Sequence, residues 1–135
     1  MPKEDYLLKY LEKLSRVIAA MLGLRDKGFP EDALHLADET YKELLTLNLE
    51  TISDMPVDEF IDTIKKSGYS ATYIEALAGI TKETADCFDL KRDFEKKHIF
   101  NKKALLLYKL LNEKDKTYSF ERELIISDLE KNLLQ

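Results

Sequence analysis

Apolar residues recur every three or four positions along most of this chain, the spacing of helices that each bury one face. Leu7, Tyr10, Leu11, Leu14, Val17, Ile18 and Met21 hold that spacing and predict a first helix over about residues 3–24. Glu4 and Asp5 sit in its first turn and Arg25 and Lys27 near its last, matching the helix dipole. Gly28 supplies the stop. A second helix follows at once, over about 30–46, with Pro30 at a first helical position, where the missing N–H costs nothing. Its apolar face is Ala33, Leu34, Ala37, Tyr41, Leu44 and Leu45. So short a connection makes the two helices antiparallel neighbours, an αα-hairpin.

The periodicity breaks over 48–55. A short helix over about 56–66 carries Phe60, Ile61 and Ile64 and is expected to lie across the ends of the long helices as a lid. A fourth helix is predicted over about 70–95, capped by Ser70. Gly79 falls inside it, at roughly 1 kcal/mol against alanine, which points to a close approach between helices. The most apolar stretch follows, over about 100–112. Ala104, Leu107, Tyr108 and Leu111 form one face, and Leu105, Leu106 and Leu110 widen it. A helix apolar over most of its girth is central. Ser119 caps a last helix, over about 119–134, with Leu124, Ile125, Leu129 and Leu133 facing inward. The expected class is all-α: one domain, residues 1–135, of five or six helices in antiparallel αα-hairpins, forming a tetratricopeptide-like array or a bundle.

A weak internal repeat adds to this. Phe29, Ala33, Leu34 and Leu36 recur as Phe100, Ala104, Leu105 and Leu107, 71 residues on. In each copy the aromatic is expected to wedge a turn while the alanine lets a second helix lie on the first. The pattern resembles tetratricopeptide hairpins, with one extra residue between aromatic and alanine and no closing proline. Asp5-Tyr6-Leu7-Leu8, Gly28-Phe29, Ala33, Leu44-Leu45-x-Leu47 and Lys103-Ala104-Leu105-x-Leu107-Tyr108 also resemble a family of small bacterial helical proteins without assigned function. That resemblance implies a fold and no activity.

Composition narrows the function. The net charge of −5 argues against general nucleic-acid binding. Cys87 is the single cysteine, which excludes an internal disulfide and every multi-cysteine zinc motif. No apolar run approaches the ~20 residues that span a bilayer. The first residues carry acids where a signal peptide needs bases. The expected location is the cytoplasm, with no membrane partner.

Candidate chemistry is sparse. Asp32-x-x-His35 and Glu95-x-x-His98 each put a carboxylate and an imidazole on one helix face, the spacing used in di-iron bundles. The further inward carboxylates such a site needs are missing from the apolar stripes, so no metal or cofactor is expected. Cys87 has no base beside it in sequence and reads as a structural thiol. Tyr6, Tyr10, Tyr41, Tyr73 and Tyr108 fall at apolar positions and read as core tyrosines whose hydroxyls reach the surface. Charge is uneven. Residues 26–62 hold eleven acids against two bases, a net of −9, and 91–103 hold six bases against two acids, a net of +4. Those bases, Lys91, Arg92, Lys96, Lys97, Lys102 and Lys103, are the candidate partner-binding residues.

The leading expectation is a non-enzymatic helical adaptor or scaffold that binds a protein or peptide, with no catalytic residues. A small metal protein or enzyme using His35, His98 and nearby acids is one alternative. A weak nucleic-acid binder through the basic 91–103 segment is another. The surplus apolar surface of the central helix and of Leu133-Leu134 suggests a twofold homodimer, with acidic and basic regions of the two copies facing each other.

Overall fold

The periodic segments become helices, seven among the described residues, with no strand. They are α1 (Pro2–Asp26), α2 (Pro30–Leu45), α3 (Leu49–Asp54), α4 (Val57–Lys66), α5 (Ala71–Leu90), α6 (Phe94–Lys114) and α7 (Phe120–Leu133). The computed structural model describes the backbone of residues 2–134 and the side chains of 8–134. The roles expected of Glu4, Asp5, Tyr6 and Leu7 therefore lie outside the described side chains.

Helix α3 is the one addition to the six expected segments, and the boundary between α5 and α6 moves. Asn48 caps α3, its Oδ1 accepting from the Thr51 N–H at 2.7 Å. This gives a one-and-a-half-turn helix too short to show periodicity. The long helix expected over 70–95 stops at Leu90, and α6 starts at Phe94. The turn between them is a Schellman motif: the Asp93 N–H donates to the Phe88 carbonyl and the Arg92 N–H to the Asp89 carbonyl, both at 2.9 Å. Arg92 takes the left-handed position at φ 63°. The same motif closes α1, where Gly28 takes that position at φ 86°, with Phe29 N–H on the Leu24 carbonyl at 2.8 Å and Gly28 N–H on the Arg25 carbonyl at 3.0 Å. The turn matching Gly28 is thus at Arg92. Phe100 wedges no turn: it is buried within α6, stacked on Phe88 at 5.5 Å between ring centroids.

Helix α6 is central, as its apolar girth requires. It packs against α3, α4, α5 and α7, and Phe100, Ala104, Leu105, Leu107, Tyr108, Leu110 and Leu111 are all buried. The α1–α2 hairpin packs on the other side of α5. Helices α1 and α5 run the same way, since Tyr10 stacks on Tyr73, Ile18 meets Gly79, and Arg25 pairs with Glu83. A Cβ on Gly79 would lie 3.0 Å from Ile18 Cδ1, so the glycine marks a close approach between these helices. Helix α4 is no lid across helix ends. It lies along α6, its Asp58, Ile61, Asp62 and Lys65 beside Leu106, Lys109, Leu110 and Glu113.

Three polar groups inside this packing fix its register. The Tyr41 hydroxyl does not reach the surface. It donates to Thr81 Oγ1 at 3.2 Å and shares a hydrogen bond with Thr84 Oγ1 at 3.1 Å, tying α2 to α5. Burial pushes its pKa to about 12. Arg122 of α7 is buried and donates to Asn112 Oδ1 and Asp115 Oδ2, both at 3.1 Å, and to Glu75 Oε2 at 3.4 Å. This draws α7 onto the end of α6 and onto α5. The guanidinium and the Thr117 N–H together hold the Asp115 carboxyl below its usual range, the backbone bond being the larger cause. Lys103 is the third.

Candidate interaction surface at one helical turn

The six bases over 91–103 separate into different environments once α6 is formed. Lys103 leaves the surface altogether, with 2% of it exposed. Its position on the helix turns it inward, beside Phe100, Ala104 and Leu107. Its Nζ donates to the Ile52 carbonyl at 2.6 Å and the Met55 carbonyl at 2.7 Å. It therefore caps the C-terminal end of α3, where carbonyls lack helical partners, and its expected place on a partner-binding surface is corrected. The Phe60 and Phe100 rings flank the ammonium at 5.8 and 6.0 Å.

The other five bases stay outside the core. Lys91 is paired with Glu31 of α2, so the acidic and basic regions neutralise each other in part within one chain. Lys97 pairs with Asp89 at 3.1 Å. Lys96 lies 5.5 Å from the centroid of the Phe88 ring. Arg92 and Lys102 are exposed and make no side-chain ion pair or hydrogen bond among the described residues.

Apolar residues flank this turn without being covered by it. Leu90 ends α5 and Phe94 begins α6, each about half exposed at 47% and 55%. Phe29, at the start of α2, is exposed too, and the Lys91–Glu31 pair brings that end of α2 alongside. Exposed leucine and phenylalanine beside uncommitted bases make an amphipathic surface. Sequence reading found the bases. It missed Leu90 and Phe94, because both looked like helix-interior positions until the chain turned between them.

The other candidates do not assemble. His35 pairs with Glu39 through Nε2 at 2.6 Å, and not with Asp32. No cluster of three or more metal-ligating side chains occurs among the described residues. Cys87 is buried, and burial raises its thiol pKa to about 12, Glu83 adding to the rise. A thiol so placed is a weak nucleophile at neutral pH. Glu83 is itself buried, and the single Arg25 Nε–H is shared between its two carboxylate oxygens at 3.0 and 3.2 Å, a tie from α1 to α5. Burial is the first cause of its raised pKa, and the arginine opposes it. Among the described residues no helix is long and apolar enough to cross a membrane.

The chain matches no family model, no curated protein and no solved structure.

Proposed function

We propose that the protein is a non-enzymatic helical interaction module of the cytoplasm that binds an acidic protein segment bearing apolar side chains. The observation that carries this is Arg92. A non-glycine residue at a left-handed C′ position is less stable there than glycine, and the arginine is neither buried nor paired. Such strain points to a use outside the fold. Leu90 and Phe94 on either side would supply apolar anchors, and Lys96 and Lys102 further charge. The parallel α1 and α5, each followed by an antiparallel partner helix, support a tetratricopeptide-like array in which α3 and α4 are an insertion.

The test is a fluorescence-anisotropy screen of short peptides that mix Asp or Glu with Leu or Phe. Binders are expected to weaken at least tenfold with Arg92→Glu and again with Phe94→Ser, and to weaken as salt rises. Peptides that bind the Arg92→Glu variant equally well would overturn the reading. Arg92→Gly separates the two roles of the residue. It is expected to stabilise the fold by about 0.5–1 kcal/mol while weakening peptide binding.

Self-association is a second reading, favoured by α7. Phe120, Leu124 and Leu134 are exposed and share one outward stripe with Ser127 and Lys131 at helical spacing. Beyond Phe94 the apolar face of α6 is covered by its neighbours, so the surplus expected on that helix is found instead on this stripe. Sedimentation showing one 15.7 kDa species at every concentration would remove this reading.

A further inference from the structure

Between the first turns of α6 and the last turn of α7 lies a hollow of about 190 Å³, lined by Phe94, Lys97, His98, Asn101, Asn132 and Leu133. Asn101 is the unusual member. It stands on the buried side of α6 next to Phe100 and Ala104, with 3% of its surface exposed. Its amide makes no hydrogen bond to any described residue. Arg122 Nε is the one buried side-chain polar atom among the described residues that is sealed from solvent and has no partner. The Asn101 amide is therefore not sealed, and its opening is this hollow. A buried amide without a partner is costly, and an apolar residue at this position would pack without that cost.

We propose that the hollow binds a small aliphatic carboxylate. The groups around it set the ligand class. The Asn101 and Asn132 amides and the His98 ring offer N–H donors, and Lys97 brings positive charge, although Asp89 shares it at 3.1 Å. A carboxylate is an anion with acceptors only, and it matches donors gathered beside a cation. Phe94 and Leu133 give apolar walls for a short branched tail. The volume suits a group of leucine side-chain size. The carboxylate can come from a free acid or from the C-terminal residue of a peptide. The site does not depend on the peptide reading of Arg92, which could fail while this one stands.

The experiment follows the side-chain NH₂ resonances of Asn101 and Asn132 by ¹H–¹⁵N NMR during titration with isovalerate. Both pairs are expected to shift together and saturate in the low-millimolar range or below. The uncharged isovaleramide should bind at least tenfold more weakly. Asn101→Asp, which keeps the size of the side chain and adds a like charge, should weaken isovalerate at least tenfold. Asn101→Leu should abolish binding and raise the thermal midpoint. Gly-Gly-Gly-Leu with a free carboxylate binding more tightly than isovalerate would support a chain terminus as the source. The reverse order would support a free acid. No saturable shift of the Asn101 amide with isovalerate or the peptide, equal binding of isovaleramide, or unchanged isovalerate binding by a folded Asn101→Asp protein would each overturn the proposal.

Discussion

Lys103→Met is expected to destabilise the protein by about 2–3 kcal/mol, although it replaces a buried charge by an apolar side chain of similar length. The reason is on the other side of the contact. The Ile52 and Met55 carbonyls lie at the end of a six-residue helix and receive the Lys103 Nζ at 2.6 and 2.7 Å. Methionine leaves these acceptors without a donor, and an unsatisfied buried acceptor costs ~1–3 kcal/mol. Relief from desolvating the ammonium offsets part of that. The unpaired carbonyls should dominate, because α3 has too few residues to hold itself together.

The lysine also leaves a signature in pH. Burial holds its pKa below the ordinary 10.5, and the Asp54 carboxylate only partly opposes this. Between the depressed folded value and 10.5 the unfolded chain binds the extra proton. Stability therefore rises as the pH climbs toward 10.5, and Lys103→Met should remove that rise. Urea unfolding of both proteins across neutral to alkaline pH checks the loss and the slope. A loss under about 0.5 kcal/mol would show that water replaces the ammonium at the end of α3.

Lys103 shows where sequence and structure part. In the sequence it is one of six bases in a charged run, and charge runs are ordinarily solvated. Its inward position follows from helix phase: it lies three residues beyond Phe100 and four before Leu107. That phase was countable within the helix expected over 100–112, whose true start at Phe94 was not. The start was hidden because the α5–α6 turn uses Arg92 where a glycine would have marked it. The hairpin of α1 and α2 was legible, since Gly28 and Pro30 announce its turn and its helices keep their period. So was the core of α6, which is apolar over most of its girth. Helix α3 was legible only through Asn48, and a lone cap residue does not distinguish a short helix from a turn. The side-chain hollow at Asn101 could not be foreseen, because it needs α7 laid back along α6. One signal was present all the same: an asparagine next to Phe100, in register with the buried face of an otherwise apolar helix.

Leu107→Ala is expected to be among the most damaging single changes, at about 2–5 kcal/mol. Leu107 is fully buried in α6, the helix that α3, α4, α5 and α7 all contact. Truncation removes the transfer free energy of the lost atoms and leaves a cavity as well. With neighbours on several sides fixed by their own packing, the cavity has little room to collapse, which places the cost in the upper part of that range. His35→Ala is the matched control. The ring is exposed, and its bond to Glu39 joins two solvated side chains one turn apart on α2. Pairs of that kind contribute a few tenths of a kcal/mol, so the expected loss is under about 0.5 kcal/mol. Urea midpoints of the two variants, with unchanged denaturant slopes, should differ widely and in this order. The reverse order would place the core elsewhere than around α6 and would give His35 a structural role that its exposure does not suggest.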